Sequence, residues 1–170
     1  MPDRVSIRRA DANDVGNLVR DPEDRHGLLD HLRHRRGILL FAFRSDHAGN
    51  DAFAGHIFIR MVPNDEPELE EHLPRTPLLM YLRVLDEHQR NGLGRRLVHA
   101  AERILVHQNH RTVALGVHPG NARAIALYES LSFVRWRDEP IKTHGWAVRD
   151  DGRAERVEDE CLIYRKNLAG

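Results

Sequence analysis

Apolar residues recur along this chain with two periods, about two and about 3.6 residues, and each change of period marks a new element. "VSIRRA", Val5 to Ala10, alternates apolar and polar positions as a short half-buried strand does. "DANDVGNLVRD" then supplies capping residues and a weakly amphipathic helix. "DRHGLLDHLRHRRG", Asp24 to Gly37, brings Leu28, Leu29 and Leu32 onto one helical face and puts Gly37 where a helix C-terminal glycine belongs. "ILLFAFR" (Ile38 to Arg44) and "AFAGHIFIRMV" (Ala52 to Val62) are β-branched and aromatic. They flank the turn-like "SDHAGND", which predicts a centrally placed antiparallel hairpin.

The four prolines and five acidic residues of "PNDEPELEEHLPRTP", Pro63 to Pro77, predict an exposed loop. "LLMYLRVL", Leu78 to Leu85, reads as a long strand. In "LGRRLVHAAERILVHQ", Leu93, Leu97, Val98, Ala101, Ile104 and Leu105 recur at helical spacing. "RTVALGV" (Arg111 to Val117) predicts a strand and "NARAIALYESL" (Asn121 to Leu131) a helix with Asn121 as N-cap. "FVRWR" and "ECLIYRK" read as two last strands separated by a polar arm, in which Asp151-Gly152 offers a hairpin turn. The order β, α, α, β, β, β, α, β, α, β, β describes one α/β domain with a mixed sheet over residues 1–170, without internal repeats.

Composition narrows the function classes. A chain of 170 residues can bury roughly 70 % of its unfolded surface in one core. With 26 basic and 26 acidic residues, the balance suggests neither a nucleic-acid coat nor a membrane-surface binder, so any electrostatic function is local. A single cysteine, Cys161, gives no disulfide framework, and no apolar run follows the basic start, so a cytoplasmic location is expected. The twelve histidines form no HExxH pattern and stand beside no paired cysteines, so no metal site is expected. His31/His34 and His107/His110 share i,i+3 spacing and read as solvated helix faces.

"QRNGLGRRL", Gln89 to Leu97, joins a strand to a helix through two glycines. Such a junction exposes backbone N–H groups at the positive end of a helix dipole, where an anion is favoured. Gly92 and Gly94 permit close approach of a diphosphate, and Arg90, Arg95 and Arg96 can add charge-assisted hydrogen bonds. No Lys-Ser or Lys-Thr follows, as a Walker A loop needs. The third Rossmann glycine is replaced by Leu97, with no acidic ribose partner at the expected distance.

About thirty residues later comes "VHPGNARAIALYESLSFV". Together with "LRVLDEHQRNGLG" it resembles the GNAT superfamily of acetyl-CoA-dependent N-acetyltransferases. In that family an LxV strand enters a [QR]xxGx[GA] loop, here Gln89, Arg90, Asn91, Gly92, Leu93 and Gly94. A later LxV strand precedes NxxAxxLYxxxGF, here Asn121, Ala124, Leu127, Tyr128, Ser132 and Phe133. The two motifs cover about a third of the chain, whereas the element order matches nearly all of it. The resemblance implies a mixed, mostly antiparallel sheet of six to seven strands with four helices and a splayed central strand pair.

It also implies roles. The loop from Gln89 to Arg95 would cradle the pyrophosphate of coenzyme A. Leu82 and Val84 would pair through their backbone with the amide-bearing arm of the cofactor as an added strand would, with Asn121 nearby. Tyr128 would face the thioester sulfur and protonate the departing thiolate, as a phenol near pKa ~10 can. Two positions depart from the pattern. Gly116 stands where some relatives carry a glutamate base, which leaves proton removal to water or to a group such as Tyr81, Glu87, His88 or His118. Ser132 replaces the usual glycine after the helix and affects the turn rather than the chemistry.

The acceptor, a primary amine of a small molecule or of a peptide, would lie between the early helices and the last strands, beside the acidic residues Glu66, Glu68, Glu70 and Glu71 and the arm with Trp136 and Trp146. No nucleic acid, membrane or metal partner is implied, and a homodimer is compatible with these readings. The alternative is a non-catalytic sensor of acyl-CoA with the same fold, which the glycine at 116 would suit and an intact Tyr128 would not.

Overall fold

The computed structural model describes residues 4–61, 63 and 66–168. The chain runs β1 (Arg4–Arg9), α1 (Ala12–Leu18), α2 (Pro22–Arg33), β2 (Gly37–Ser45), β3 (Asp51–Arg60), α3 (Pro67–His72), β4 (Leu78–Val84), α4 (Leu93–His107), β5 (Thr112–Val117), α5 (Ala122–Ser130), β6 (Val134–Arg135), β7 (Ile141–Val148) and β8 (Ala154–Asn167), with a 3-10 turn at Asp86–His88. The strands lie in the order β1-β2-β3-β4-β5-β8-β6, and β7 pairs with β8. Every pairing is antiparallel except β4 with β5.

Two layers of helices explain why β2 and β3 are almost wholly apolar. Leu39, Phe41 and Phe58 pack with Val15, Val19 and Leu28 of the α1–α2 side. Their neighbours Leu40, Ala42, Ile57 and Ile59 pack on the opposite side with Leu97, Val98, Ala101 and Leu105 of α4. A strand covered on both faces has no polar alternation to show.

The mixed, mostly antiparallel sheet and the splayed pair are as expected, but the described residues form eight strands and five helices rather than six to seven strands and four helices, because α3 and β7 are added. The parallel ladder of β4 and β5 holds only Leu78 to Ala114 and Leu79 to Leu115, after which the strands diverge. Beside the divergence β4 carries an extra residue relative to β3, since Gly55 pairs with Val84 but Phe58 with Met80. Tyr81 takes φ 53° there. Its carbonyl accepts from Nδ1 of the buried His56 at 2.7 Å, which satisfies the backbone group that the bulge turns away from the ladder.

Four local expectations are revised. Gly37 is not a helix cap: the left-handed residue after α2 is Arg35, at φ 52°. Gly37 opens β2 because any Cβ there would overlap the Ile59 carbonyl oxygen. The acidic segment Pro63–Pro77 is not all loop, since α3 forms behind Pro67 and buries Leu69 against Leu78, Ile141 and Ile163. Asn64 and Asp65 of that segment lie outside the described residues. The polar arm contains β7, paired with the first half of β8 across the turn at Gly152 (φ 85°). His31 is buried, stacked on Phe58 with ring centroids 4.8 Å apart, while His34 remains exposed.

Candidate active site

The glycine loop runs from the end of β4 into α4. Arg90 and Gly92 both take left-handed backbone, φ 65° and 75°, and turn the chain back onto the helix. Gly92 is the N-cap of α4 and supplies no side-chain bond to the first-turn amides, whereas Asp11, Asp21 and Asn121 cap α1, α2 and α5. The first turn of α4 carries no acidic residue and instead holds Arg95 and Arg96. Free amides and two guanidiniums at a positive dipole end repel one another until an anion is present.

Ten of the eleven expected residues line one cleft: Leu82 and Val84 of β4, the loop residues Gln89, Arg90, Gly92, Leu93, Gly94 and Arg95, and Asn121 and Tyr128 around α5. The eleventh, Asn91, braces the loop, its Nδ2 donating to the Gln89 carbonyl at 3.1 Å. Arg96 does not line the cleft. Gln89 joins three elements, since Nε2 donates to the Val84 carbonyl at 3.0 Å and Oε1 accepts from Arg123 Nη1 at 2.7 Å. Arg95 is tied across to α5 by a 3.1 Å bond to Ser130 Oγ.

The Asn121 side chain accepts from the Ala124 amide at 3.1 Å, so α5 starts where the motif expected and carries Tyr128 to the cleft. The Tyr128 ring lies edge-on to Phe133 at 5.9 Å, and burial pushes its phenol up to about 12. Its hydroxyl makes no hydrogen bond to any described residue. A phenol in that state is protonated across the neutral range and is equipped to donate a proton. Sequence reasoning did not single out Arg83 or Arg123 as cleft residues, and nothing in their spacing marks them.

On the other face of the sheet, a cavity of about 230 Å³ opens between α2, α3, β4, β5 and β7. Tyr81 lines it beside Gly116 of the splayed pair. Position 116, a glycine, brings no side chain of its own to this cavity. A Cβ on Gly116 would stand 3.2 Å from the Cys161 Cβ, and burial pushes that thiol up. Of the four candidate routes for proton removal, only Tyr81 lines this cavity. Its phenol is pushed up to about 12 by burial and by the carboxylates of Asp24 and Asp30, against the opposing pull of Arg156 and Arg36. Glu87 and His88 sit in the 3-10 turn, and His118 accepts from the Gly120 amide at 3.0 Å in the exposed loop after β5.

Acidic residues near this cavity are already engaged. Glu66 accepts from the His144 amide at 2.9 Å and faces its Nδ1 at 3.3 Å, and Glu68 is bonded to Arg137. Both tie α3 to the arm around β7 rather than standing free to attract an amine. Asp24 is bonded to Arg83 of β4 and held below the usual carboxylate range: burial opposes this, but His56 and Arg83 outweigh it. Among the described residues no group of three or more metal-ligating side chains occurs, and no helix is long and apolar enough to cross a membrane.

Residues 7–133 match the model of the acetyltransferase (GNAT) family. The ribosomal-protein-S18-alanine N-acetyltransferase of Escherichia coli superimposes with a TM-score of 0.62 at 21% identity, covering 98% of this chain and 96% of that one. NAA60 of Arabidopsis thaliana in complex with acetyl-CoA gives 0.65 at 16%, covering 98% and 100%. A putative acetyltransferase of Salmonella typhimurium with its cofactor acetyl-CoA gives 0.61 at 18%, covering 98% and 95%. The family model spans most of the sequence and the solved neighbours share the whole architecture: this chain belongs to the GNAT family of acetyltransferases.

Proposed function

We propose that the protein transfers an acetyl group from acetyl-CoA to a primary amine of a small molecule or peptide. The observation that carries this reading is the single cleft joining the uncapped start of α4, the exposed edge of β4 and the Tyr128 hydroxyl. These residues fit the donor chemically. The amides and arginines of Gln89–Arg95 suit a diphosphate, and the stretch of β4 at Leu82–Val84, which has left β5 while still paired with β3, suits an amide-bearing arm. Acetyl-CoA supplies an activated acyl thioester.

In the balanced reaction the amine nitrogen bonds the acetyl carbon and loses a proton, the carbon–sulfur bond breaks, and coenzyme A leaves as the thiol. Tyr128 gives its proton to the leaving sulfur, and solvent resets the phenol. With no carboxylate at Gly116, the proton on nitrogen leaves through water in the acceptor cavity. Release of free thiol from acetyl-CoA with any member of a panel of amino acids, polyamines, aminoglycosides and peptide N-termini supports the reading. Stabilisation by acetyl-CoA without thiol release would instead identify a sensor, the reading favoured by the missing glutamate. Stabilisation by ATP or NAD but not by coenzyme A would overturn both.

A further inference from the structure

The acceptor-side cavity is not electrically balanced. Among its described lining residues are two carboxylates, Asp30 and Glu66, and three guanidiniums, Arg36, Arg60 and Arg156. The carboxylates are satisfied within the fold. Asp30 is bonded to Arg36 at 2.7 Å, and Glu66 holds the His144 amide and ring. Arg60 is almost fully buried and donates to the Pro63 carbonyl at 2.8 Å. Arg156 makes no ion pair with any described residue, whereas Arg36 is paired with Asp30.

Arg156 is nevertheless placed. It sits on β8 directly across from Trp146 of β7, and its guanidinium carbon lies 5.3 Å from the centre of the Trp146 ring. Trp146 is held in turn by an edge contact with His26 of α2, centroids 4.4 Å apart. A guanidinium lying on an aromatic face keeps its N–H edge free for a planar anion and loses little freedom on binding one. Arg156 is exposed and Arg36 half-buried, and both line the cavity together with Tyr81 and Gly116 of the splayed strands. The volume, about 230 Å³, lies below the range of drug-sized pockets, roughly 300–1,000 Å³, and suits a small acceptor.

We infer that the acceptor is a small primary amine bearing a carboxylate, of amino-acid type, whose carboxylate is bound by Arg156 on its Trp146 platform while the amine points to the gap between β4 and β5. The inference rests on the acetyltransfer reading and narrows its acceptor. A polyamine or aminoglycoside would bring only cations to a cavity whose carboxylates are already paired, and would meet an unneutralised guanidinium.

The test uses the full chain with acetyl-CoA and reads thiol release for matched acceptors: phenylalanine against phenethylamine, and methionine against methioninamide. The expected result is a kcat/KM at least about tenfold higher for the carboxylate member of each pair, the size of effect one charge-assisted contact produces. Arg156→Gln collapses that ratio towards one, chiefly through KM, and Arg156→Lys retains part of it. A merely structural arginine would lower both members of a pair together and leave the ratio intact, which would overturn the inference. Thiol release from carboxylate-free amines alone, or a preference for spermidine or peptide N-termini, would overturn it while leaving acetyltransfer standing. Absence of release from every amine would overturn both.

Discussion

The Tyr81 ring is seated on the backbone of Gly27: a Cβ at residue 27 would stand 2.5 Å from Tyr81 Cζ and overlap the hydroxyl. The missing side chain in the middle of α2 is therefore a notch for the β4 bulge. It lets α2 lie close enough for Asp24 to reach Arg83 and for His31 to meet the Tyr81 ring edge-on at 5.8 Å.

Gly27→Ala tests the notch. Helix propensity favours alanine by about 1 kcal/mol, whereas overpacking against a buried ring costs about 1–3 kcal/mol. A net loss of stability in urea unfolding is expected. In a Tyr81→Ala background the clash is gone, so the same substitution becomes neutral or stabilising. Equal losses in both backgrounds would show that the notch does not seat Tyr81.

Tyr128→Phe removes only the hydroxyl at the cleft and keeps the ring packed on Phe133. Turnover should fall by about 10²-fold or more, with acetyl-CoA affinity within about twofold of the parent. Because burial holds the phenol at about 12, no fall in rate from its deprotonation is expected between pH 7 and 10. Unchanged turnover removes Tyr128 from the chemistry.

Ser132 occupies the place of the family's glycine and takes φ 71°. Left-handed backbone costs an ordinary residue about 1–2 kcal/mol, part of which glycine's greater unfolded freedom offsets. Ser132→Gly should therefore raise stability by about 0.5–1 kcal/mol with kcat unaltered, as read by urea midpoint and thiol release. A destabilised variant would mean that the serine side chain contributes more than its backbone strain costs.

Asp14 closes the capping box of α1 and is bonded to Arg8 by two 3.0 Å contacts. The bond from Arg8, and then the Asp11 amide, hold its carboxyl at about 2. A folded value below the unfolded one, about 3.9, adds stability that is fully present above pH 4 and is lost as pH falls towards 2. Urea midpoints at pH 7 and pH 3 should thus converge in Asp14→Asn relative to the parent. An identical pH difference in both proteins would show that Asp14 does not contribute.

The cleft around the glycine loop was legible because its parts are local in sequence. Gln89 to Arg95 are contiguous, and Leu82 and Val84 precede them on the strand that feeds the loop. Asn121 and Tyr128 are fixed by one helix of known period. The second cavity was legible only in outline, through the resemblance, which pointed to the early helices, the acidic segment and the arm with Trp146. Arg156 was not, because Tyr81, Gly116, Trp146 and Arg156 come from four strands and no spacing links them. β7 was overlooked because its outward positions are polar, and α3 because proline and acidic residues hide a turn whose only buried residue is Leu69.

The sequence by itself determined most of the element order, the glycine loop that opens α4 and the helix that carries Tyr128, because periodicity, capping and glycine placement act over a few residues. Tertiary structure alone decided which charges are already spent. Glu66 and Glu68 become supports of α3 and Asp30 a partner of Arg36, while Arg156 is left on Trp146 with no carboxylate partner among the described residues. Neutralisation of charge depends on distances between segments far apart in the chain, and only the folded sheet sets those distances.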